Sequence, residues 1–140
     1  MPSGPPRVRL PLLGFACLAL LGACQPQPAP PQAAARDFVR RLVETPEGAG
    51  PLAEALEENL GARIRLDYLR TQRRQGMRLY YRVPAAGGDG PRREVPVRVS
   101  TREEGPPGPG DVVFAVTVAR TGAGPWRAVA VRLLRENEEE

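Results

Sequence analysis

Few side chains in this sequence of 140 residues are equipped for covalent or acid–base chemistry. There is no histidine, and all 20 basic residues are arginine. Arginine stays protonated, so the chain lacks the side chains that most often move protons near neutral pH. Ser3 and Ser100 are the only serines, and Ser100 sits in an alternating apolar pattern with no base beside it. Asp67, Asp89, Asp111 and the glutamates are scattered, with neither a paired-carboxylate arrangement nor metal-ligand spacing. No cofactor and no metal site are expected. The reactive groups that remain are two thiols, Cys17 and Cys24.

Cys17 lies inside an apolar run over residues 10–21, and Cys24 follows the end of that run after Leu21, Gly22 and Ala23. Before the run come Arg7 and Arg9 with no acid. A basic start, about a dozen apolar residues and then small residues make the plan of an export signal, and the run is too short for a permanent membrane span. An ordinary secretory signal with an incidental cysteine is the plainer alternative. Leu21-Gly22-Ala23-Cys24 resembles the lipobox of bacterial lipoproteins. The resemblance covers residues 1–24 and implies that residues 1–23 are removed and that Cys24 carries a diacylglycerol, often with a further acyl chain. Several acyl chains anchor stably, because each buried CH₂ contributes roughly 0.8 kcal/mol and one chain alone is marginal. In that family an Asp after the lipidated cysteine favours inner-membrane retention. Gln25 stands here, so the expected location is the cell envelope, on the periplasmic side of the outer membrane where the source has two membranes.

With Cys17 gone and Cys24 acylated, no internal disulfide is available. Residues 24–140 keep 18 arginines against 16 acids, a net charge near +2 rather than the +4 of the whole sequence. The all-arginine basic set fits a GC-rich coding bias. Residues 25–32 are rich in proline, which blocks helix and favours an extended polyproline spacer on the order of 25 Å. The expected organisation is a signal over 1–23, the lipidated cysteine and tether over 24–33, one domain over 34–135 and an acidic tail over 136–140. The domain is expected to fold alone, without disulfide or metal.

Within it, Ala35, Phe38, Val39, Leu42 and Val43 recur at helical spacing, which predicts a helix over 33–44. Leu52, Ala55, Leu56 and Leu60 predict a second over 51–60, with Gly61 as its stop. The period then changes to two. Ile64, Leu66 and Tyr68 alternate with Arg63, Arg65 and Asp67, predicting a strand over about 63–72, although the stretch to Gln75 also admits a helix. Met77 to Val83, Val95 to Val99, Val112 to Thr121 and Trp126 to Leu134 read as further strands. Pro96 marks its strand as an edge or a bulge. The strand from Val112 is apolar on both faces and is expected at the centre. The predicted core includes Phe38, Leu42, Leu56, Phe114, Val116, Trp126 and Val131.

These elements give an α+β domain, two N-terminal helices on a twisted antiparallel sheet of four or five strands. The layout, with Phe38, Leu42 and Trp126, resembles the small NTF2-like or cystatin-like domains of bacterial lipoproteins. NTF2-like enzymes work from acids or histidines in a cone-shaped pocket, and Asp67, Tyr68 or Glu94 would have to serve here. A non-catalytic binding or adaptor domain is the leading expectation. An NTF2-like hydrolase or isomerase and a purely structural envelope protein are the alternatives.

The most unusual local feature is the run Arg63, Arg65, Arg70, Arg73, Arg74, Arg78 and Arg82, interleaved with Tyr68, Tyr80 and Tyr81. In a hairpin of about 63–72 and 76–84, Arg63, Arg65, Arg73, Arg74, Arg78 and Arg82 would form a basic face for anionic lipid or an envelope partner. For an exported, lipid-anchored domain nucleic acid is not the expected partner. The plain reading is a solvated sheet face.

Overall fold

The computed structural model describes residues 30–48, 50–84 and 89–135. Cys24, the expected signal, most of the expected tether and the 136–140 tail lie outside the described residues. Three helices come first, α1 (Pro31–Glu44), α2 (Gly50–Glu57) and α3 (Leu60–Arg74), with a 3₁₀ turn over Pro46–Gly48. Four strands follow: β1 (Tyr80–Arg82), β2 (Arg92–Ser100), β3 (Val112–Ala119) and β4 (Arg127–Leu133). The strands form one antiparallel meander in the order β1-β2-β3-β4. The fold is α+β.

Helix α1 begins at Pro31, two residues before its predicted start, so Pro31 and Gln32 belong to the helix rather than to the tether. A proline suits this first position, because its missing N–H has no partner inside the helix. Ala35, Phe38, Val39, Leu42 and Val43 face inward and lie across β2, β3 and β4. Helix α2 stops at Glu57 rather than at 60.

The predicted strand over 63–72 is a helix, α3. Its buried residues are Ala62, Leu66 and Leu69, a spacing of four and three. Ile64 and Tyr68 are exposed, so two of the three residues that suggested alternation do not face the core. Two end signals decide the outcome. Asn59 caps the start, its side-chain oxygen accepting from the Ala62 N–H at 3.0 Å. At the other end Gly76 takes φ +89°, its N–H reaches Arg73 O at 3.1 Å and Met77 N–H reaches Gln72 O at 3.0 Å. This paired closure needs a residue in the left-handed region, where glycine carries no Cβ penalty. Gly61, expected as a stop, falls in the first turn of α3.

Inside the sheet, Val95, Val97 and Val99 of β2 pair with Val116, Phe114 and Val112 of β3. With Tyr81, Val118 and the helix residues Phe38, Leu42, Leu56 and Leu66 they make one core. Trp126 closes one end of that core, with Arg93 and Arg120 stacked on its ring at 4.9 and 4.7 Å. All seven predicted core residues join this cluster, six of them buried and Val131 partly so. β2 is an inner strand despite Pro96. β1 pairs only with Arg98–Ser100, so at Pro96 the sheet continues on the β3 side alone and a missing donor is tolerated. β4 contains a register shift: Thr117 pairs with Ala130 and Val118 with Ala128. Val129 is left out of the pairing and is exposed, instead of sharing a face with Val131 and Leu133.

β3 is buried on both faces, as its composition requires. On its outer side Val113 and Ala115 are each 2% exposed. The cover there is side chain rather than helix. Arg132 spans β3 to Glu94 on β2, at 3.0 and 3.4 Å, with Ala115 beside Arg132 in the register. Arg98 lies opposite Val113 in the same way. Arginine stems cover apolar surface while their heads stay hydrated.

Phe114 has no exposed surface at the middle of this core. Phe114→Ala should lower unfolding free energy by about 3–5 kcal/mol in denaturant titration, as aromatic truncation does in a packed interior. A loss below about 1 kcal/mol would show that the site collapses freely and is not the packing centre.

Candidate functional site

The helical form of 60–74 disperses the arginines that the sequence groups together. Arg63 and Arg65 project from the exposed side of α3. Arg73 turns back toward α1, its Nε donating to Glu44 Oε1 at 2.7 Å. Arg74 donates to the Thr71 hydroxyl at 3.1 Å. Arg78 stacks on Tyr80 at 5.4 Å, and Arg82 lies on the outer face of β1 beneath the β2–β3 loop. The six residues therefore do not share one sheet face. The expected stripe is replaced by three separate groups, because a helix spreads consecutive residues around its axis where a strand would alternate them.

Two of the cationic residues serve the helix layer. Arg70 is 13% exposed at its side chain. Its Nε and Nη2 donate to Leu42 O at 3.2 and 3.0 Å, and its Nη1 meets Glu57 Oε1 at 2.6 Å. Leu42 O belongs to the last turn of α1, where carbonyls lack helical donors, so Arg70 caps α1 while joining α2 and α3. Glu44 is the second junction. It accepts from Arg73 and, at Oε2, from the Tyr81 hydroxyl at 3.0 Å, joining α1 to α3 and β1. Arg40 stacks on the Tyr81 ring at 5.2 Å. Burial of Tyr81, then the Glu44 carboxylate beside it, pushes its phenol well above the ordinary tyrosine value.

A cleft of about 440 Å³ lies along the β1 edge, against the first half of α1. Arg36, Arg82 and Arg98 line it with Tyr81, Val83 and Pro107. Arg82 and Arg98 are direct cross-strand partners, an arrangement that sets two like charges side by side. Arg98 meets Asp111 at 3.6 Å, with both side chains nearly buried. Among the described residues Arg82 donates from Nη2 to Arg102 O at 3.0 Å and has no acid beside it, and its buried Nε has no hydrogen-bond partner among them. Arg36 has no hydrogen bond or ion pair among the described residues.

The wall formed by the β2–β3 loop is well tied. Arg102 N donates to the Ser100 hydroxyl at 3.1 Å, and Arg102 Nη2 to Pro106 O at 3.0 Å. Gly108 N donates to Asp111 Oδ2 at 3.1 Å. The Arg102 guanidinium packs where a Cβ at Gly108 would stand, so a larger residue there would turn that side chain aside. Ser100, one of the two serines of the sequence, thus has a structural partner in the loop.

A larger cleft of about 860 Å³ lies between α2, the start of α3 and the end of β4, with Leu56, Ala62, Arg65 and Leu133 among its walls. Neither cleft holds Asp67 or Glu94, whose side chains are 63% and 50% exposed. Among the described residues no three His, Cys, Asp or Glu side chains group as metal ligands. No protein-family model, curated protein or solved structure matches the chain.

Sequence reasoning missed Arg36, Arg98, Arg102 and Asp111. Arg98 was readable as an outward residue between Val97 and Val99, but its position opposite Arg82 depends on a register that no local pattern reveals.

The raised Tyr81 phenol carries a pH consequence. Between the ordinary tyrosine pKa of about 10 and its own higher value, the folded chain holds a proton that the unfolded chain releases. Stability should therefore fall as pH rises above about 10, by at most about 1.4 kcal/mol per pH unit from this group. Denaturant titrations from pH 9 to 11 should show the decline in the wild type and a shallower one in Tyr81→Phe. Equal slopes would mean that the Tyr81–Glu44 contact does not persist in solution.

Proposed function

We propose that this chain is a bacterial cell-envelope lipoprotein, anchored through Cys24, whose folded part is a small non-catalytic binding domain. The observation that carries the reading is the order of parts in the sequence: Arg7 and Arg9, the apolar run over 10–21, then Leu21-Gly22-Ala23-Cys24. Only six residues separate Cys24 from Pro31, the first residue of α1. At about 3.1 Å per residue in extended polyproline form, such a spacer holds the domain within roughly 20 Å of the bilayer. Residue Gln25 favours the outer membrane over the inner where both exist. No helix among the described residues is long and apolar enough to cross a membrane, so attachment in this reading depends on the lipid.

Binding rather than catalysis fits the chemistry of the clefts. Both are lined by arginines and apolar side chains. Guanidinium groups hold anions firmly and are poor proton carriers. Helices followed by a four-stranded meander also support the likeness to cystatin-like and NTF2-like lipoprotein domains. The exposed arginines Arg63, Arg65 and Arg74 add attraction to an anionic membrane or envelope partner. Each contributes up to roughly 1 kcal/mol near such a surface, and less at high salt.

Metabolic labelling with a clickable fatty acid in a bacterial host tests the anchor. The wild-type chain should be labelled and should partition with membranes. Cys24→Ser should lose the label and accumulate as the longer, uncleaved precursor. Equal labelling of both chains would remove the lipoprotein reading.

A further inference from the structure

We propose that the cleft at the β1 edge is a binding site for a phosphate monoester, held by Arg36, Arg82 and Arg98. This rests on the reading of the domain as a binding module, but not on the lipid anchor.

Charge balance is the first argument. Three guanidinium groups line the cleft, and Arg98 is paired with Asp111. Arg36 and Arg82 have no carboxylate partner among the described residues, and two such cations suit a phosphate monoester dianion better than a single carboxylate.

The second argument is the strain of the unliganded arrangement. Arg82 and Arg98 face each other across an antiparallel pair, where neighbouring Cα atoms stand only about 4.5–5.5 Å apart. Like charges at that position are unfavourable, and Arg82 has no acid beside it among the described residues. Its Nη2 is fixed by Arg102 O, while its buried Nε has no partner among the described residues. An unpaired donor in a half-buried cation is what a bound oxyanion removes, after a small turn of the side chain. Arg36 supplies a third head from the facing helix.

The third argument is shape. The cleft is about 440 Å³, within the range of small-molecule sites. Val83, Pro84 and Pro107 give it an apolar border, suited to the organic part of an ester. The wall that carries Pro107 is preset by the bonds of Ser100, Arg102 and Asp111, so binding need not order a loop. Arg36 lies five residues into α1, near the end to which the tether attaches. The positive end of the helix dipole adds to the same field. The phosphate could come from a membrane lipid headgroup or from a soluble ester.

Titration calorimetry on the full chain in neutral detergent, with inorganic phosphate and glycerol 3-phosphate as probes, tests this. Saturable one-to-one binding is expected. Arg36→Gln, which removes no contact among the described residues, should weaken binding roughly tenfold or more, the size of one charge-assisted hydrogen bond. Arg82→Gln should do the same. Arg127→Gln, exposed at the start of β4 and outside this cleft, should leave binding unchanged. Vesicles of phosphatidic acid in phosphatidylcholine separate the sources. If glycerol 3-phosphate competes with these vesicles, the phosphate is a lipid headgroup; if the soluble ester binds and the vesicles do not, it is a diffusing ester. The proposal is overturned if neither probe nor the vesicles bind saturably. It is equally overturned if folded Arg36→Gln binds like the wild type, or if Arg127→Gln weakens binding as much as Arg82→Gln does. Fatty-acid labelling of Cys24 is read separately, so loss of the anchor and loss of the site are distinguishable.

Discussion

Everything in this domain is arranged around β3, a strand that is apolar on both faces. Val112, Phe114, Val116 and Val118 point one way and Val113 and Ala115 the other, and all six are buried. A strand of that composition cannot leave either side to water. On one side the problem is solved by α1, whose Phe38, Val39 and Leu42 pack against the sheet. Among the described residues no helix is packed on the other side. There the cover comes from the Arg132–Glu94 fork, from Arg98 and from the tied β2–β3 loop.

That division explains why so many arginines have structural partners. Arg70 caps α1 and joins three helices, Arg73 and Arg40 gather at Glu44, and Arg93 and Arg120 both stack on the Trp126 ring. A chain with no lysine must use arginine for every cationic task, including the covering of apolar surface. The guanidinium suits this, because it is planar, stacks on rings and forks onto carbonyls and carboxylates. Against that background Arg36 and Arg82 stand apart. They converge on one cleft with no carboxylate of their own among the described residues. The distinction between arginines that complete the fold and arginines that do not is what gives the edge cleft its meaning.

Much of this was legible in the sequence. Helix α1, the central place of β3 and the core from Phe38 to Val131 follow from apolar period alone. Reading failed at α3, because Ile64, Leu66 and Tyr68 satisfy a period of two while Ala62, Leu66 and Leu69 satisfy a helical one. Asn59 as cap and Gly76 as stop carried the deciding information, and both are signals of ends rather than of period. The bulge at Val129 is likewise invisible to alternation, since it shifts the phase of every residue on one side of it. The edge cleft was the least legible part. It joins residues 36, 82, 98 and 111, and only the sheet register and the placing of α1 bring them together.

The claim on which the account rests is that β3 is the most protected element, sealed by helix on one face and by arginine side chains on the other. Native-state amide hydrogen exchange measures this directly. The amides from Val113 to Val118 should exchange slowest of all, at the rate set by global unfolding, with β1 and the outer turns of α3 far faster. If the β3 amides exchanged faster than those of α1 or β2, the outer face would be open to water and the arrangement described here would be wrong.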